Sequence, residues 1–137
     1  MSSPSSPQRP ERPLSPHLQI YKPQLTSVLS ITHRVTGVGL SLGLLILVAW
    51  LIGLATGPEY YDLCMRVITS APCQFVLCGL TWAFIYHLCC GIRHMLWDAG
   101  FFLSLQGVYS TGRITLAVST LLTLALWLKI FGYGAMQ

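Results

Sequence analysis

His87 and His94 are two of only four histidines in a 137-residue chain that is 53% hydrophobic, and both fall in or beside one long apolar stretch together with Arg93. Ionisable side chains at such depth are rare and, where present, usually do chemistry. On a helix that turns about 100° per residue, seven residues bring His94 back to within about 20° of His87 and about 10.5 Å further along the axis. Both rings therefore look out from one face, too far apart to hold one iron between them. Gly91 follows His87 by one turn and removes side-chain bulk from the same face. A flat macrocycle fits such a surface, and neutral imidazole is a strong axial ligand for haem iron. The alternative is a histidine hydrogen-bonded across helices.

A six-coordinate, electron-transferring haem needs a second axial ligand. The last apolar segment, from Ile114 to Tyr133, contains neither histidine nor methionine. His33 and His94 are expected near the membrane surface, with His87 alone about two turns deeper, so neither opposes His87 across an iron. The second ligand is therefore expected from another polypeptide, with the haem bridging two subunits.

Ser30, His33 and Arg34 stand at i, i+3 and i+4, on one face of the first apolar helix. A hydroxyl, an imidazole and a guanidinium there can donate to a carbonyl or a carboxylate. Alternatively, Arg34 snorkels to lipid phosphate and Ser30 bonds its own backbone. His33, Arg34, Arg93 and His94 are candidates to surround the edge where haem propionates emerge. A quinone headgroup has two carbonyl oxygens that need donors, and its reduction needs protons; Ser30, Arg34 and Asp98 are placed for that. Asp98 can instead pair with Arg93 or cap the connection that follows.

The elements that must position these groups are membrane helices. Only 9% of residues are charged, and the mean hydropathy is +0.62, far above what a soluble domain of this length needs. The net charge of +4 concerns topology and lipid contact, with no nucleic-acid partner expected. The five cysteines, Cys64, Cys73, Cys78, Cys89 and Cys90, read as small hydrophobes; Cys89 and Cys90 point about 100° apart on a helix and cannot converge on a metal. Residues 1–24 form a Pro/Ser-rich arm with six of the eight prolines. The arm has neither an early apolar core nor an Arg-rich amphipathic helix, so the chain reads as bacterial or already processed.

Three spans are expected, at about 25–54, 72–97 and 114–133, the first with an uncharged core from Val35 to Ile52. Gly57-Pro58 ends the first, and a connection with Glu59, Asp62 and Arg66, partly helical, leads to Pro72 in the first turn of the second. Residues 99–112 join the second to the third. Gly37, Gly39, Ser41 and Gly43 make a small-residue stripe, with close helix contact expected at the Gly39/Gly43 spacing. The four tryptophans suit span ends and lipid-facing surfaces and are assigned no chemistry. Arg9, Arg12, Lys22, Arg34, Arg93 and Arg113 lie on the N-terminal side of the membrane, against Arg66 and Lys129 on the other. The positive-inside rule then puts the N-terminus in the cytoplasm of a bacterium, or in the matrix if the membrane is the mitochondrial inner one. Ser30, His33 and Arg34 thus enter at the membrane face where Arg93, His94 and Asp98 leave.

Two segments carry a family resemblance: Arg12-Pro13-Leu14-Ser15-Pro16-His17-Leu18 followed by Ser30-Ile31-Thr32-His33-Arg34-Val35-Thr36-Gly37, and His87-Leu88-Cys89-Cys90-Gly91-Ile92-Arg93-His94-Met95-Leu96-Trp97-Asp98-Ala99-Gly100. With three spans in order, the chain resembles the cytochrome b556 membrane-anchor subunits of succinate dehydrogenase, respiratory complex II. The resemblance implies an all-α membrane protein whose three transmembrane helices form half of a heterodimeric haem-binding bundle. It implies His87 as the axial ligand of haem b, the other ligand coming from a second membrane anchor subunit. Ser30 and Arg34 then contact ubiquinone, Asp98 is an acid near the quinone pocket, and His33, Arg93 and His94 lie near the propionates. The implied function is to anchor the flavoprotein and iron–sulfur subunits and to host quinone reduction, with the Arg12 to Lys22 segment against the iron–sulfur subunit. Succinate oxidation then belongs to other subunits, since the chain has no dinucleotide fold and no iron–sulfur thiolate motif. The alternatives are an anchor of a quinol:fumarate reductase and a haem-free membrane scaffold.

Overall fold

The computed structural model describes residues 21–134; the arm as far as residue 20 lies outside the described residues. Those residues form four helices and no strand: α1 (Leu25–Thr56), α2 (Pro58–Ile68), α3 (Ala71–Asp98) and α4 (Leu105–Gly134). Three of them, α1, α3 and α4, are long and apolar enough to cross a membrane, making this a multi-pass membrane protein. At 1.5 Å per residue the 32 residues of α1 span about 48 Å, well beyond the hydrocarbon core of about 30 Å. Its polar first turns therefore reach the interface while Val35 to Ile52 fills the core.

The helix ends follow from local chemistry. Gly57 adopts φ +133°, and Pro58 starts α2 directly after it, so the expected partly helical connection is an 11-residue helix. Pro72 sits in the first turn of α3, where its missing N–H costs nothing. At the other end Gly100 takes φ +86°; its N–H donates to the Trp97 carbonyl at 2.8 Å and the Phe101 N–H to the Leu96 carbonyl at 2.9 Å. That paired pattern is a Schellman motif, which glycine completes without steric strain.

The third span begins earlier than the hydropathy suggests. Ser104 Oγ accepts from the Gly107 N–H at 3.1 Å and its carbonyl from the Val108 N–H at 2.9 Å, so Ser104 caps a helix starting at Leu105. Residues 105–113 are polar enough to look like a connection, yet they add two turns to α4.

Helix α3 packs against both α1 and α4, while α2 lies along the C-terminal half of α1. The small core sits where three spans meet: Leu29 of α1 with Tyr86 and Cys90 of α3, flanked by Leu116 of α4. Tyr86 is fully buried, stacks on Trp82 with ring centres 5.0 Å apart, and donates its hydroxyl to the Leu29 carbonyl at 3.0 Å. A Cβ on Gly112 would stand 2.6 Å from Leu29 Cδ1, so glycine there lets α4 close on α1. Polar Thr115, Ser119 and Thr123 line the buried side of α4; Ser119 and Thr123 satisfy their hydroxyls on their own helix backbone, as small polar residues at membrane-helix contacts do.

The α1–α3 contact corrects the expectation from the glycine stripe. A Cβ at Gly43 would meet Leu80 Cδ2 at 2.9 Å and one at Gly37 would meet His87 Cε1 at 3.1 Å, but one at Gly39 meets nothing within 4 Å. The glycines that α3 side chains approach are therefore Gly37 and Gly43, while Gly39 faces open space. Most large apolar side chains of the spans, among them Val35, Leu44, Phe84, Leu88 and Leu121, stay exposed, the surface that lipid and neighbouring chains must cover.

Candidate functional site

The two clusters expected to share a depth do meet. His33 of α1 lies between the two α3 histidines, its ring centre 4.1 Å from that of His87 and 5.3 Å from that of His94. Sequence alone put His87 well below His33; instead the rings touch across the α1–α3 contact, with His87 Nδ1 against the His33 carbonyl. The consequence for ligation is unchanged. An iron held by two imidazole nitrogens at about 2 Å each separates those nitrogens by about 4 Å and the ring centres by more. Rings with centres 4.1 Å apart leave no room for a metal between them.

His87 is held from α1. Its Nδ1 is 3.1 Å from the His33 carbonyl oxygen and 3.2 Å from Thr36 Oγ1, and Gly37 leaves space for the ring edge. His94 is exposed, and its Nδ1–H donates to the Cys90 carbonyl one turn back at 2.8 Å. His33 Nε2 is buried and has no hydrogen-bond partner among the described residues. A buried imidazole nitrogen without a partner is costly unless something else occupies its lone pair or takes its proton.

Arg93 is buried and committed to α4. Its Nε donates to Thr111 Oγ1 at 3.0 Å, its Nη2 to the Val108 carbonyl at 2.8 Å, and its Cζ sits 4.0 Å over the Trp97 ring. It does not pair with Asp98, the alternative left open by the sequence. Ser30, Arg34 and Asp98 are exposed and have no hydrogen bond or ion pair with other described residues, so their polar groups are available to a ligand or a neighbour.

Ser30, Arg34 and Asp98 face one flank. By helix geometry Ser30 and Arg34 of α1, and Gly91, Asp98 and Phe84 of α3, are turned away from the Tyr86, Cys90 and Arg93 edge of α3. A Cβ at Gly91 meets nothing within 4 Å. Beyond His87, away from His94, an apolar hollow of about 710 Å³ opens between α1 and α3, lined by Leu40, Gly43, Leu44, Leu77, Leu80 and Phe84. The site is thus half a cleft with polar and cationic groups at one end, an imidazole in the middle and an apolar floor at the other.

Sequence reasoning missed Thr36 and Gly37 as partners of His87 and Trp97 as part of the polar cluster. The signal was present: Thr36 and Gly37 follow His33 by three and four residues, on its face of the helix. Trp97 also contacts the His94 ring at 5.1 Å, and its indole N–H is buried without a partner among the described residues. The cysteines are free, and no group of three or more His, Cys, Asp or Glu among the described residues could hold a metal ion alone.

A helical chain with three membrane-spanning helices and a histidine cluster where α1 meets α3 has the form of a multi-pass membrane subunit. It belongs to the succinate dehydrogenase/fumarate reductase transmembrane subunit family, whose model matches residues 8–126. It is 45% identical over 113 residues to the succinate dehydrogenase cytochrome b556 subunit of Rickettsia typhi, covering 82% of this chain and 88% of that one. The cytochrome b556 subunit of Paracoccus denitrificans is 36% identical over 115 residues, with 80% and 88% covered. The cytochrome b560 subunit of succinate dehydrogenase from Reclinomonas americana is 38% identical over 120 residues, with 84% and 83% covered.

Proposed function

We propose that this chain is the membrane-anchor and cytochrome b subunit of a succinate:ubiquinone oxidoreductase, holding haem b jointly with a second anchor subunit and forming one wall of the quinone site. The observation that carries the reading is His87, pinned through Nδ1 to α1 beside the open surface at Gly91. No other described residue is placed to oppose it across a metal, which supports a ligand supplied by a partner on the open flank.

The residues fit the cofactor. His87 would ligate the iron through Nε2, the glycine surface accommodates a flat ring, and the apolar hollow suits the hydrocarbon edge of a porphyrin. His33, whose buried Nε2 lacks a partner, and exposed His94 would take the propionates. Arg93, with two nitrogens engaged on α4, contributes its positive charge rather than a free fork. Haem b supplies one-electron storage when bound.

Ser30 and Arg34 would donate to a quinone carbonyl, and Asp98 would pass protons from the aqueous side to the reduced headgroup. Arg34 adds charge that favours the developing anion. Flavoprotein and iron–sulfur subunits would carry succinate oxidation and deliver electrons, with the N-terminal arm against the iron–sulfur subunit. The N-terminus then lies in the bacterial cytoplasm, or in the matrix of a mitochondrion. The succinate dehydrogenase names of the relatives favour this direction over fumarate reduction.

A reduced-minus-oxidised spectrum of the purified complex tests the reading. His87→Ala should lose or weaken the haem bands, while Arg34→Ala should lower quinone reduction with assembly and haem retained. The reverse pattern refutes the assignment of roles.

A further inference from the structure

We infer that Thr36 is a positioning residue for His87: its hydroxyl and the His33 carbonyl together hold the Nδ1 proton, fixing which ring nitrogen is bare and how the ring is turned. The inference rests on the haem reading above. It starts from donors and acceptors. A carbonyl oxygen has no proton to give, so the 3.1 Å contact between His87 Nδ1 and the His33 carbonyl requires the proton on Nδ1. Nε2 of the neutral ring is then the bare nitrogen, the form a metal ligand needs.

Thr36 donates its own proton to the same carbonyl at 2.8 Å, leaving its lone pairs to face Nδ1 at 3.2 Å. By elimination the hydroxyl is a second acceptor for the imidazole N–H. Donating to a carbonyl also polarises that hydroxyl into a better acceptor. Thr36 is 7% exposed, so little water competes for the bond.

Gly37 completes the latch. A Cβ there would stand 3.1 Å from His87 Cε1 and 3.7 Å from Nδ1, so a larger residue makes the ring give way by a few tenths of an ångström. His94 differs, since its Nδ1–H is satisfied within α3 by Cys90. The ring of His87 is therefore set by α1, and its orientation depends on the helix–helix contact.

An acceptor on the far nitrogen raises the basicity of an imidazole ligand, which favours the ferric state and lowers the potential. The intact membrane complex carrying Thr36→Val and Thr36→Ser should be compared with wild type by optical redox titration and by the low-spin ferric resonance. Thr36→Val should raise the reduced-to-oxidised ratio at a fixed potential by about threefold or more, on a scale where tenfold is about 59 mV for one electron. Thr36→Ser should stay at the wild-type value. Valine matches threonine in shape, so lost packing does not produce the shift.

Haem missing from the valine variant but kept by the serine variant supports the same role. A valine variant with an unchanged or lowered potential overturns it, as do serine and valine variants that shift equally or both lose haem. Failure of the underlying reading looks different: a wild-type complex without a Soret band, or His87→Ala retaining its low-spin haem.

Discussion

Replacing Arg93 by methionine should loosen the inner end of α4 by a measurable amount without unfolding the bundle. Arg93 is 6% exposed and reaches α4 through two charge-assisted hydrogen bonds, at 3.0 Å to Thr111 Oγ1 and 2.8 Å to the Val108 carbonyl. In water such bonds are worth about 1.5–3 kcal/mol each, but hydrogen bonds between membrane helices average about 0.6 and reach about 1.7 kcal/mol. The lower figures apply, because the separated helices also find partners. The Trp97 contact at 4.0 Å adds about 0.5–2 kcal/mol, and relief of the buried charge offsets part of the loss. Thr111 is not orphaned, since its hydroxyl also donates to the Gly107 carbonyl at 2.8 Å.

The net expectation is about 1.4–2.8 kcal/mol, a ten- to hundredfold rise in local opening. Hydrogen exchange of the intact complex should show it in the amides of residues 105–115, with the outer half of α4 unaffected. Arg93→Lys keeps the charge but not the planar fork, so its exchange should fall between wild type and methionine. Exchange within twofold of wild type in Arg93→Met refutes the assignment of Arg93 as the α3–α4 tie.

Two further substitutions test the connection that sets the start of α4. Gly107→Ala places a Cβ 2.9 Å from the Phe102 carbonyl oxygen and 3.0 Å from its Cα, backbone atoms that cannot rotate away, so thermal stability of the complex should fall by about 1–3 kcal/mol; an unchanged melting temperature counts against the close approach. Ser104→Ala removes the cap on the Gly107 N–H and should cost about 1 kcal/mol, with Ser104→Asp recovering most of it. Failure of aspartate to recover stability argues against capping.

Much of the molecule was legible in the sequence. Hydropathy located three spans, Pro72 marked a helix start, and seven-residue spacing placed His87 and His94 on one face. The second helix and the early start of α4 were harder to read. Both consist of mixed polar and apolar residues whose helicity depends on a cap or on a neighbour, signals that a hydropathy window averages away.

The sequence by itself determined the chemistry on offer: imidazoles, guanidinium groups and a carboxylate at the ends of apolar helices, because charge is tolerated in lipid only near an interface or a partner. Only the tertiary structure decided how these groups are used. Side chains from different helices meet according to crossing geometry and small-residue gaps, which turned Arg93 onto α4, brought His33 against His87, and set Thr36 and Gly37 behind the ring.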